Sequence, residues 1–174
     1  MRSFFALLLA MSCFALLAAE AAPEIQIKDV KKQTTLVIKK KIKQSEIGAA
    51  LGQILPKVFA FAGQNKIQPF SAPMTRYTKA GEDEFNIEAG FVVAEGTKGQ
   101  GEIVVSELPG GKAASTVHKG PYEKLSATYK ALKEFIKVKG LKEGGTGWEF
   151  YVSDPDNTKP EELKTEVYMQ VEEK

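Results

Sequence analysis

The sequence predicts an α+β fold: two pseudo-symmetric β-α-β-β repeats forming one antiparallel sheet, with two helices on one face and the other face left open. Three observations predict it. Strand-like and helix-like stretches follow the order strand, helix, strand, strand over about 34–94 and again over about 102–172. The halves also match at a spacing of 78, pairing Ile47 with Leu125, Ile54 with Leu132, Val58 with Ile136 and Glu88 with Glu166. Each helix is apolar along one side only, so each needs a single sheet face and leaves the other free.

Taken in order, Arg2, the apolar run 4–17 and Ala19-Glu20-Ala21 form the three parts of a secretory signal, spanning 1–21 with a cut after Ala21. The run is short of the roughly 20 residues that cross a bilayer, so no stable membrane insertion is expected after cleavage. The only cysteine, Cys13, lies in this leader. A cleaved chain would have no thiol, which excludes disulfides, thiolate catalysis and cysteine metal sites. Residues 22–33 read as an exposed lead-in, and 34–174 as the folded domain.

The first repeat begins with a strand over 34–43 that puts Leu36, Ile38 and Ile42 on one face; Lys39-Lys40-Lys41 reads as its solvated end. Ser45 is the expected N-cap of a helix carrying Ile47, Leu51, Ile54, Leu55 and Val58, with Gly63 as its stop. Pro56 lies inside this helix, where its ring crowds the carbonyl of Gly52. Strands over 70–79 and 85–94 follow, the second setting Ile87, Ala89 and Phe91 against Asn86, Glu88 and Gly90. After the glycine-rich connector 95–101, strands over 102–108 and 111–117 are expected to form a hairpin around Pro109-Gly110-Gly111. The second helix opens at Pro121 and ends at Gly140, with Tyr122, Leu125, Tyr129, Leu132 and Ile136 on its apolar stripe. Strands over 147–153 and 163–172 complete the chain.

Lys and Arg number 24 against 22 Asp and Glu, a net charge of +2, which gives no electrostatic footprint for nucleic acid. In the last strand Thr165, Val167, Met169 and Val171 should face the helices, leaving Glu166 and Tyr168 on the open face, with Glu88 in the equivalent place of the other half. Two carboxylates on one concave face could hold a cation or raise each other's pKa; the pattern alone leaves open that both are ordinary solvated residues. Tyr151 is expected to line the same cleft, joined by Trp148 and by Tyr77 as the approximate counterpart of Tyr151, since aromatic rings around a carboxylate suit a flat or cationic organic ligand. The lone His118 reads as structural. There is no Gly-x-Ser-x-Gly elbow, zinc would lack nitrogen and sulfur ligands, and no cofactor is called for.

Leu108-Pro109-Gly110-Gly111, His118-x-Gly120-Pro121-Tyr122, Trp148-Glu149-x-Tyr151-x-x-Asp154-Pro155 and Pro160-Glu161-Glu162-x-x-Thr165-Glu166-Val167 together resemble the GyrI-like effector-binding domain, also found at the end of AraC- and MerR-type regulators. Gln170 departs from it where the family often has proline. The resemblance implies a binder of a small molecule, lipophilic and cationic or aromatic, without catalysis. It also implies a ligand cleft on the open face of the sheet, with a central acidic residue in the last strand at the position of Glu166. Regulators of this type carry a DNA-binding unit, whereas a leader and a short lead-in precede the domain here, so the expectation is an exported, stand-alone binding protein with no nucleic-acid partner. Within the family a hydrolase of strained electrophilic compounds is the alternative, with Glu166 as general base beside Tyr151. Tetrapyrrole binding of the similarly folded SOUL type is the third reading.

Overall fold

The computed structural model describes residues 24–173, so the expected signal segment lies outside the described residues. The elements are β1 (Gln26–Val30), β2 (Gln33–Lys43), α1 (Ile47–Gln64), β3 (Met74–Lys79), β4 (Glu84–Val92), β5 (Ile103–Leu108), β6 (Gly111–Lys119), α2 (Leu125–Val138), β7 (Lys142–Tyr151) and β8 (Lys164–Glu172). All eight strands join one antiparallel sheet in the order β1-β6-β8-β7-β3-β4-β2-β5. The lead-in expected to be exposed instead contributes β1, whose backbone satisfies its hydrogen bonds on β6 while its side chains stay mostly in solvent.

The two repeats are β2-α1-β3-β4 and β6-α2-β7-β8. Thr35 lies opposite Val92, and the residues 78 positions on, Ala113 and Gln170, are opposed in turn. In the central strands the shift is 74, since Met74 faces Phe150 and Arg76 faces Trp148. The pseudo-two-fold axis therefore passes through the Thr75–Glu149 pair. Tyr77 and Tyr151 are counterparts across it.

Strands β5 and β6 do not form the expected hairpin. Gln26 lies opposite Ser115, Val30 opposite Gly111, Gln33 opposite Leu108 and Ile38 opposite Ile103, one unbroken register running from β1 into β2 and from β6 back into β5. The result is a single two-stranded ribbon, bent where 31–32 and 109–110 cross, that carries the edge of one repeat over to the other. Gly110 permits the crossing, because a Cβ there would stand 3.0 Å from the backbone nitrogen of Lys32, and Gly111 adopts φ +110°. Pro-Gly-Gly thus bends a paired strand here instead of reversing the chain.

Strand alternation sorts the core. Leu36, Ile38, Ile87 and Phe91 meet Ile54 and Val58 of α1; Ala114, Val167 and Val171 meet Leu132 and Ile136 of α2. Each fully buried aliphatic side chain contributes about 1.5–3 kcal/mol. On the opposite face Val37, Met74, Leu108 and Trp148 form a smaller cluster inside the bend of the ribbon, so that face is not bare. Ser45 falls within a 3-10 turn, and it is the Glu46 carboxylate that accepts the Lys43 N–H, at 3.2 Å. α1 runs one residue past Gly63 and ends where the Asn65 side chain donates to the Phe61 carbonyl at 2.9 Å. His118 fastens the start of the second helical segment, its ring nitrogens 2.8 Å from the Thr128 hydroxyl and 3.2 Å from the Pro121 carbonyl.

Closure of the first repeat depends on Gly90, where an added Cβ would come 1.9 Å from the Leu36 carbonyl oxygen on the neighbouring strand. Gly90→Ala should lower stability by about 2–3 kcal/mol, read as a lower denaturant midpoint at unchanged slope.

Candidate ligand-binding site

Glu149 sits on the symmetry axis, on the helix-facing side of β7, and is only 4% exposed. The neighbouring strand brings Tyr77, its own strand brings Tyr151, and α2 brings Tyr129 down onto it. Gly147, opposite Tyr77, lies beside the Tyr129 ring, which a Cβ there would touch at an ordinary contact distance of 3.7 Å. Tyr129 donates to Glu149 Oε1 at 2.7 Å, and the Tyr151 and Tyr77 hydroxyls reach Oε2 at 2.9 and 3.2 Å. Tyr77 and Tyr151 also lie 2.8 Å apart, oxygen to oxygen. Tyr122 closes the outer side, its ring set edge-on to Tyr151 at 5.7 Å between centroids.

Among the described residues no lysine or arginine comes within 4.0 Å of this carboxylate. Burial pushes the Glu149 carboxyl above its ordinary range, against the Tyr129, Tyr151 and Tyr77 hydroxyls and the His118 ring, which hold it down. Burial likewise raises all three phenols well above normal, and an ionised Glu149 would raise them further, so they remain hydrogen-bond donors in either state of the acid. A count of hydrogens points the same way. The four short contacts need four hydrogens and the three hydroxyls supply three, so a proton on Oε2 of Glu149 completes the network. The cluster is self-consistent as a neutral acid, and ionised it is a buried anion lacking a counter-charge.

Six residues were expected to line one cleft, and the structure divides them. Tyr77 and Tyr151 belong to the Glu149 cluster on the helix side. Glu166, Tyr168, Trp148 and Glu88 lie on the other face, because Trp148 opposes Tyr168, Phe150 opposes Glu166 and Arg76 opposes Glu88. Glu166 and Tyr151 are thereby separated by the thickness of the sheet, and the general-base pairing expected between them does not exist. Tyr151 has Glu149 instead. On its own face Glu166 accepts from the Tyr168 hydroxyl at 2.9 Å, and Tyr168 stacks on Trp148 at 5.3 Å with an interplanar angle of 3°. Glu88 is bound by Lys39 at 3.0 Å, by Arg76 at 3.6 Å and by the Ser106 hydroxyl at 2.6 Å. Sequence reasoning missed Glu149 and Tyr129 as site residues. Glu149 shares the parity of Tyr151, which was the available signal; Tyr129 is indistinguishable from core on an amphipathic stripe.

The GyrI-like small molecule binding domain family matches residues 23–172. No curated protein matches the sequence. Among solved structures the fold is similar to the EcmrR C-terminal domain (19% identity, TM-score 0.76, covering 87% of this chain and 99% of that one). It is also similar to SAV2435 bound to tetraphenylphosphonium (15%, 0.62, covering 86% and 94%). A hydrolase from Listeria innocua shares it too (14%, 0.58, covering 87% and 94%). These likenesses concern the fold, while the family match spans nearly every described residue, and the chain therefore belongs to the GyrI-like small-molecule-binding domain family.

Proposed function

We propose that this chain is an exported binding protein for lipophilic organic cations, which it holds at Glu149. The observation that carries the reading is a carboxylate that is buried, oriented by three tyrosine hydroxyls and, among the described residues, without a lysine or arginine beside it. A bound cation supplies a positive charge, and the surrounding rings offer their faces to it, an interaction that gains strength as water is excluded. That a structurally similar protein takes tetraphenylphosphonium supports this ligand class. Because Glu149 is covered, a ligand that reaches it must displace a hydroxyl. Tyr129 is the one to give way, since Tyr77 and Tyr151 are anchored on the two central strands. The hydrolase alternative is supported by one similar fold and by the raised pKa of Glu149, which suits a general base. On that reading the base is Glu149 rather than Glu166. The tetrapyrrole reading gains no support from His118, whose two ring nitrogens are both engaged.

Calorimetric titration with tetraphenylphosphonium should show binding by the wild type, weakened about tenfold or more in Glu149→Gln, the factor that corresponds to roughly 1.4 kcal/mol. Equal affinities would sink the assignment of Glu149. A hydrolysis assay on strained electrophiles beside it separates binding from catalysis, because a base at Glu149 requires turnover to collapse in the variant with substrate affinity little changed.

The pH dependence has a definite sign. An unfolded glutamate titrates near about 4.3, and folded Glu149 titrates higher, so across that window the folded protein holds the extra proton. Stability of the ligand-free protein should fall as pH rises through the window, while affinity for a permanent cation rises over the same range. Glu149→Gln should flatten both profiles.

Export rests on Arg2, the apolar run 4–17 and Ala19-Glu20-Ala21. N-terminal sequencing of protein from its native source should begin at or within a few residues of Ala22; a chain starting at Met1 would remove the localisation and reopen a regulatory role.

A further inference from the structure

We propose a second ligand site on the opposite face of the sheet, where Trp148, Phe150, Tyr168 and Glu166 take an organic ammonium carrying an apolar or aromatic body. The cavity there has a volume of about 410 Å³, in the range of small-molecule sites, and is also lined by Val30 and Leu108 where the ribbon bends. It is separate from Glu149, because adjacent residues of β7 point to opposite faces.

The internal symmetry makes the assignment sharper. Glu88 and Glu166 are counterparts, and the cross-strand neighbours of Glu88 are Lys39 and Arg76, both cations. The cross-strand neighbours of Glu166 at the corresponding positions are Val117 and Phe150. The same scaffold position therefore carries a carboxylate inside an ionic cage in one repeat and a carboxylate between apolar walls in the other. Among the described residues no lysine or arginine comes within 4.0 Å of Glu166. A part-buried carboxylate set between apolar neighbours is a receptor for an incoming cation.

The rest of the site is already in place. Tyr168 holds Glu166 through its hydroxyl while its ring is fixed against Trp148, and Phe150 meets Tyr168 edge-on at 6.0 Å. Lys28 Nζ stands 5.7 Å from the centroid of Tyr168, so this aromatic group already accepts a cation on its outer face. Lys31 at the rim disfavours dications and ligands with a second positive group.

Trp148 is the only tryptophan, so its emission reports on this cavity. The probe is benzyltrimethylammonium, titrated by calorimetry and by Trp148 fluorescence into wild type, Glu149→Gln, Glu166→Gln and the double variant, each first shown to keep the wild-type unfolding midpoint within a few degrees. In Glu149→Gln we expect one equivalent to bind and to change Trp148 emission, with affinity falling about tenfold or more when Glu166→Gln is added. Tyr168→Phe, which deletes the hydroxyl that orients Glu166 but keeps the ring, should weaken the same event and stands in should Glu166→Gln fail to fold. No heat and no emission change in Glu149→Gln, or equal affinity of Glu149→Gln and the double variant, would overturn the proposal. The fate of the other site is read separately: if Glu149 is not a binding group, Glu149→Gln will match the wild type in stoichiometry and affinity whatever Glu166→Gln does.

Discussion

The pairing of β3 with β7 is the constraint on which the molecule depends. It joins the two repeats edge to edge from Met74–Phe150 to Thr78–Thr146, and it puts the symmetry axis through Thr75 and Glu149. Tyr77, Trp148, Phe150 and Tyr151 all lie within two residues of that axis. Because side chains alternate along β7, Glu149 and Tyr151 go beneath the helices while Trp148 and Phe150 go to the opposite face. A slip of one residue in this pairing would exchange the two sets and bury Trp148 under α2, which the Ala114–Leu132–Ile136 core has no space to accept.

The Glu149 cluster works against the stability of the ligand-free fold. A buried carboxylate costs several kcal/mol when ionised, and three hydroxyl donors offset only part of that, which is why its pKa lies high. The surrounding core sustains it: α1 and α2 each rest on their own apolar cluster, so the polar region between them is not needed to hold either helix down. The site is thus held in tension by its scaffold instead of helping to hold that scaffold together.

Much of this architecture is legible in the sequence, and what is not has physical reasons. The alternation of Thr165, Val167 and Met169 against Glu166 and Tyr168 reads directly, as do the two helices and the matched Glu88 and Glu166. The bent ribbon does not read. Pro109-Gly110-Gly111 has the composition of a reversing turn, and only the long-range register with β1 and β2 shows that it is a crossing. Glu149 was hidden for another reason. The constant shift of 78 breaks to 74 in the central strands, because the connection from α2 to β7 is shorter than that from α1 to β3, and the longer connection from β7 to β8 restores it; Tyr77 and Tyr151 consequently do not align as counterparts in a fixed-offset comparison. With the pairing of the two tyrosines only approximate, the shared parity of Glu149 and Tyr151 was the one sign that this acid is not a solvated strand residue.

The same shift explains why the duplicated fold holds one acid on its axis and not two. Thr75 is the counterpart of Glu149, and the two lie directly opposite each other. Two glutamates there would place like charges on cross-strand neighbours about 5 Å apart at Cβ in a buried setting, where their repulsion would add to the desolvation each already suffers. Symmetry can therefore keep the tyrosines, which are neutral and hydrogen-bond to each other, but must break at the carboxylate. It breaks in the helices as well: the counterpart of Tyr129 is Leu51, which packs into the core of α1. Away from the axis no such conflict exists, so Glu88 and Glu166 both persist, and their difference lies only in what surrounds them. An axial acid must be unique, whereas an off-axis pair can be retained twice and diverge, one member tied to Lys39 and Arg76 and the other set among Val117 and Phe150.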